Sequence, residues 1–110
     1  MPVNVPRGPR PEEDEGLQAV VAAMESYQVQ HPGSVVETYR HGQYVVRIRV
    51  INPGFRGMTK SERHRAVWPF LKDLPEEVVS DISTLILLTP EEVKSSFASF
   101  EFDDPIPSRF

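Results

Sequence analysis

The stretch Gln43–Ile51, QYVVRIRVI, does most to limit what this chain can fold into. Tyr44, Val46, Ile48 and Val50 fall on one side of it, and Arg47 and Arg49 on the other, beside Val45 and Ile51. A period of two is that of a β-strand with one face in a core and the other at least partly wet. Such a strand needs a neighbour. Ser34–Tyr39 supplies one, with Arg40-His41-Gly42 as the hairpin turn. It also needs a layer over its apolar face. Just upstream Leu17, Val20, Val21, Met24 and Tyr27 recur at helical spacing. Pro11 opens that helix, Glu12, Glu13, Asp14 and Glu15 suit its positive end, and His31-Pro32-Gly33 stops it.

Beyond Asn52-Pro53-Gly54 the pattern turns helical again. Thr59-Lys60-Ser61-Glu62 fits a capping box, and Pro69 predicts a kink or an end near Trp68 because its ring would clash with the Arg65 carbonyl. Pro75-Glu76-Glu77 predicts a short helical turn. Ile82–Leu88 is apolar almost throughout, which reads as a third and central strand. Thr89-Pro90-Glu91-Glu92 is a second capping box, predicting a short helix to about Phe97. The order α-β-β-α-α-β-α predicts an α/β (α+β) domain, a small three-stranded sheet with helices packed on one face. Residues 1–10, with Pro2, Pro6 and Pro9, read as a flexible arm, residues 11–97 as the domain, and residues 98–110 as a Phe- and Pro-rich tail. Phe97 and Phe100 are expected to pack inside. Phe102 and Phe110 could pack or meet a partner.

The 110 residues carry a formal net charge of −4 and no cysteine, so disulfides, thiolate nucleophiles and cysteine metal ligands are excluded. No apolar run approaches the roughly 18 residues of a membrane span. The first ten residues lack the apolar core of a secretory signal. The expectation is a soluble, cytoplasmic protein with no membrane partner. Arg40, Arg47, Arg49, Arg56, Lys60, Arg63 and Arg65 all fall between residues 40 and 65, while acids gather at 12–15 and after 73. If these cations converge, they make a positive patch for an anionic group or partner.

Helical spacing puts His64, Val67, Trp68 and Leu71 on one side, with Arg63 and Arg65 flanking in solvent. Gly54-Phe55-Arg56-Gly57 is formally a GxxG. In KH domains that loop clamps a nucleic-acid backbone, with Arg56 and Lys60 placed here to meet phosphates. Against this, Phe55 suits a core anchor better than a stacking platform, and the net charge disfavours backbone binding. An enzyme is the poorest reading. Ser61 precedes His64 by three residues, but the capping box accounts for it, and His31, His41 and His64 lack zinc-ligand spacing.

The stretch VVRIRVINPGFRGMTKSERHRAVWPFL followed by ISTLILLTPEE resembles the BolA-like family. The matching elements are a β-branched strand, Phe55-x-Gly57, Glu62-Arg63-His64-Arg65-x-Val67, an apolar strand and Thr89-Pro90-Glu91-Glu92, covering roughly residues 16–95. The resemblance implies a fold similar to class II KH domains. It implies a non-enzymatic adaptor or regulator that partners a monothiol glutaredoxin and shares a [2Fe–2S] cluster with it, in iron–sulfur trafficking or iron regulation, with DNA binding in some members. It implies His64 as a cluster ligand and His41, in the hairpin turn, as the candidate second ligand. An imidazole can replace thiolate on cluster iron, but a chain without cysteine needs a partner's thiolates. Arg63 and Arg65 could then balance the cluster's charge. His31 reads instead as a helix-terminus charge. Pro69 and the two end segments depart from the family pattern.

Overall fold

The structure, a computed structural model, describes residues 3–105. The chain runs α1 (Glu15–Gln30), β1 (Val35–Arg40), β2 (Val46–Ile51), α2 (Lys60–Val67), α3 (Glu76–Asp81), β3 (Ile82–Leu88) and α4 (Phe97–Asp103). This is the α-β-β-α-α-β-α order that the sequence pattern predicts. Asp14 caps α1 by accepting the Leu17 amide at 3.0 Å, which starts the helix just where its apolar stripe begins. Leu17, Val20, Met24 and Tyr27 then face inward and are fully buried.

β1 and β2 pair antiparallel, with Val36 opposite Val50, and β2 and β3 pair parallel, with Ile48 opposite Leu85. A parallel pair requires a crossover, and α2 with α3 provides it. The strand order is β1-β2-β3, so β2 is central and β3 is an edge strand. The expectation of a central β3 is thereby corrected. A continuous apolar run reports two covered faces, not two paired edges. On one face Val36, Val46, Ile48 and Val50 pack with α1, α2, the turn Trp68–Phe70 and α3. On the other, Tyr39 and Ile86 pack with Phe102 of α4, and Leu88 lies against them.

α4 itself begins later than its sequence signal. Thr89 and Glu92 make both capping-box bonds, at 2.8 and 3.3 Å, but the chain after them only turns. Ser96 is the effective cap, accepting the Ser99 amide at 3.1 Å. Starting the helix at Phe97 aims Ser99 and Phe102 at the sheet. Phe102, left open by the sequence, is 1 % exposed, whereas Phe97 is 90 % and Phe100 55 % exposed, so the expected packing of Phe97 and Phe100 is corrected. Phe110 lies outside the described residues. Residues 98–105, read as a tail, therefore belong to the packed body.

The proline-rich arm is extended, and it is docked along the outer edge of β1. Asn4 donates to the Val36 carbonyl and accepts from the Thr38 amide, both at 2.9 Å, and Val3 joins the core. Gly8 has φ +79°, and a Cβ there would sit 2.7 Å from the Arg40 carbonyl oxygen. Only glycine passes so close with that backbone. Among the described residues no helix is long and apolar enough to cross a membrane.

Candidate functional site: the outer face of α2 and the edge of β3

The loop before α2 is a pedestal. The Asn52 side chain accepts the Gly54 amide at 2.8 Å and donates to the Tyr27 hydroxyl at 2.8 Å, tying the loop to α1. Phe55 inserts into the core, and Gly57 turns the chain with φ +79°. Thr59 and Glu62 then exchange both bonds of the predicted capping box, at 2.8 and 3.1 Å. Gly54, Phe55 and Gly57 thus shape the start of α2, as expected of them. Phe55 has no free face for a base.

The expected positive patch does not form. Five of the seven cations, Arg40, Arg47, Arg49, Arg56 and Arg63, are met by acids that sequence distance concealed. Arg40 pairs with Asp14, the cap of α1, and with Asp81, the last residue of α3. Arg47 pairs with Glu101, and Arg49 with Glu37 and Asp103, beneath α4 on the opposite face of the sheet from α2. Arg56 pairs with Glu91 at the surface. The partner- or anion-binding role expected of Arg47 and Arg49 is therefore corrected. α4 lands on these two side chains with its carboxylates, and the Arg49 guanidinium also lies 4.7 Å from the Phe102 ring.

Arg63 is corrected in the same way. It is 7 % exposed, and its guanidinium donates to the Met58 carbonyl at 3.1 Å, the Leu87 carbonyl at 3.0 Å and the Glu92 carboxylate at 2.6 Å. It clamps α2 to the end of β3 and to the Thr89–Glu92 turn. The Arg63 bond, aided by the Thr89 amide, holds the Glu92 carboxyl well below its ordinary range, at about 2. In the arginine–histidine–arginine triplet, spacing alone cannot tell which arginine points in.

Lys60, His64 and Arg65 are what remains outside. All three are exposed, and among the described residues Lys60 and Arg65 make no ion pair. His64 stacks on Trp68, ring centroids 5.5 Å apart and 21° from parallel, which holds the imidazole against the helix and leaves its edge free. Lys60 and His64, one helical turn apart, share a face. They form one wall of a groove floored by Leu85–Leu88 and closed on the far side by Ser96 and Ala98.

No protein-family model, curated protein or solved structure matches this chain.

The two histidines expected as ligands are not brought together. His41 follows β1 in the hairpin, its amide bonded to the Val45 carbonyl at 2.8 Å and its ring edge-on to Tyr39 at 6.5 Å. β1 and β3 are the two opposite edges of the sheet, and His64 stands over β3. A cluster ligated by two residues of this chain therefore does not fit, and no group of three or more His, Asp or Glu suited to a metal occurs among the described residues. The geometry fits one accessible imidazole, His64. His31 lies at the C-terminal end of α1, stacked on Tyr27 at 4.3 Å, in line with its reading as a helix-end group.

The residues that sequence reasoning passed over are Leu85 and Leu87 at the groove floor and Phe97 at its mouth. One signal was available. Ile82–Leu88 contains no charge and no proline, the usual guards of an edge strand.

Proposed function

We propose that this chain is a non-enzymatic adaptor that docks a protein partner against α2 and the edge of β3. The observation that carries this reading is the groove itself. It has an apolar floor, a rim of exposed Lys60 and His64, and the exposed Phe97 beside it. Exposed apolar surface rimmed by polar groups is the usual mark of a protein contact. The family resemblance points to a monothiol glutaredoxin as that partner. In that complex His64 is the one imidazole this chain can offer to a bridging [2Fe–2S] cluster, and the partner's side supplies the other ligands.

The test is an anaerobic titration into a cluster-loaded monothiol glutaredoxin, followed by calorimetry and visible circular dichroism. Binding with a changed cluster spectrum that His64→Ala restores supports docking and ligation together. Binding with an unchanged spectrum supports the adaptor and removes the ligand role. No heat and no spectral change removes the glutaredoxin partner. The nucleic-acid alternative has less support. Of its expected contacts, Arg56 and the hairpin arginines Arg47 and Arg49 are paired with acids, which leaves Lys60, and a chain of net charge −4 gains little from phosphate neutralisation.

A further inference from the structure

The two edges of the sheet are treated differently. The outer edge of β1 is closed by the arm at Asn4. Among the described residues, the outer edge of β3 has no strand beside it. The Asn52 amide bonds to the Leu88 carbonyl at 2.8 Å, so the backbone groups of Leu88 face β2. Those of Leu87 and Leu85, at alternate positions, face outward. The Leu87 carbonyl is taken by Arg63. The Leu85 amide and carbonyl and the Leu87 amide have no partner among the described residues. They line the groove just described, between Lys60 and His64 on one side and Ser96 and Ala98 on the other.

We propose that the β3 edge accepts an extended segment of a partner protein as a fourth strand, and that this segment alternates acidic and apolar side chains. The alternation follows from the walls. Successive side chains of an added strand point to opposite faces of the sheet. On the α2 side they meet Lys60 and His64, which suit carboxylates. On the α4 side they meet Ala98 and, at the mouth, Phe97, which suit aliphatic groups. Charge complementarity picks this occupant. The rim is cationic in a chain that is otherwise net acidic, and β3 has no charge of its own to repel a strand. The inference rests on the adaptor reading and specifies the chemistry of its partner.

The test uses the full chain, labelled with nitrogen-15, and three acetylated and amidated peptides. These are EVEVEV, its charge-reversed form KVKVKV, and EVPVEV, in which proline interrupts the backbone donors. The expected result is saturable amide shifts at Leu85, Leu87 and Lys60 with EVEVEV. Its affinity should exceed that of KVKVKV by about tenfold, as fits a rim-charge contrast. EVPVEV should bind more weakly than EVEVEV. Lys60→Glu, a change at an exposed position, should reverse the charge preference, and Phe97→Ala should weaken EVEVEV. Equal binding of EVEVEV and KVKVKV, or shifts centred away from β3, would overturn the proposal. A concentration-dependent dimer in sedimentation that protects the Leu85 amide would also overturn it, because a second copy would then be the occupant. Capture of glutaredoxin through α2 without shifts at Leu85 overturns this inference and leaves the adaptor reading standing. Binding of EVEVEV at β3 by a chain that ignores glutaredoxin supports the inference and removes only the named partner.

Discussion

Replacing Arg63 with alanine separates a surface cation from a structural clamp. The substitution strips donors from the Met58 and Leu87 carbonyls and an ion-pair partner from Glu92. Each bond lost to a carbonyl costs about 1 kcal/mol, with more where water cannot replace the donor. The Glu92 side chain is 42 % exposed, so solvent screening reduces its share to below about 1 kcal/mol. The guanidinium also sits 5.6 Å from the Phe55 ring, a cation–π contact worth about 0.5 kcal/mol. Together these give about 3 kcal/mol, or roughly 15 °C in Tm for a domain of this size. Thermal unfolding by far-UV circular dichroism reads it directly. Arg63→Lys should recover less than half, because one ammonium cannot reproduce the planar fork.

A pH series adds an independent check. The Glu92 carboxyl is lowered from 4.5 to about 2 in the fold. A depressed acid contributes stability that is fully present above its unfolded pKa and is lost as pH falls through the folded one. The gap between wild type and Arg63→Ala should therefore narrow as pH drops from about 4.5 toward 2. A loss of less than about 0.5 kcal/mol at neutral pH, the size of an ordinary surface change, would refute the clamp and return Arg63 to the surface.

Other expectations follow from the same geometry. Phe102→Ala should cost about 3 kcal/mol, as for a buried aromatic, while Phe97→Ala should stay within about 0.5 kcal/mol, both measured by urea denaturation. Gly8→Ala should lower Tm measurably, since its Cβ would meet the Arg40 carbonyl at 2.7 Å in a backbone with φ +79°. Fluorescence anisotropy with a labelled single-stranded oligonucleotide should show no saturable binding at about 0.15 M salt, because Arg56 is paired with Glu91 and Lys60 alone, on a chain of net charge −4, gains too little from phosphate. Saturable binding that Arg56→Ala or Lys60→Ala removes would reopen the GxxG reading.

The sequence signals that held are those set by neighbours along the chain. The Thr59–Glu62 box, the alternation around Arg47 and Arg49, and the stop at Pro69 each need only local sterics and hydrogen bonds, and each is in place. The signals that misled depend on partners far away. Arg49 reads as a free cation until Asp103, 54 residues on, lands beside it. Ile82–Leu88 reads as central because periodicity records covered faces and is silent about edges. Thr89 reads as a helix start because its box forms, yet the Arg63 fork draws the same Glu92 toward α2. Of the candidate site, His64 and Lys60 were legible. The groove they border was not, since it exists only once α2 and the start of α4 are brought to either side of the β3 edge.

Both ends of the described chain close on one residue. Arg7 lies 5.5 Å over the Tyr39 ring and donates to the Asp103 carbonyl, while the Tyr39 hydroxyl donates to the Phe102 carbonyl at 2.7 Å. The Arg7–Asp103 contact spans 96 positions. Closing so long a loop costs entropy that is returned only after the hairpin carrying Tyr39 exists. The expectation is that these contacts form after the rate-limiting step and break before it in reverse. Arg7→Ala and Phe102→Ala should speed unfolding and leave the refolding rate nearly unchanged. What this corner of the molecule governs is how long the native state lasts, and so how rarely β1 is bared to proteases or to other chains.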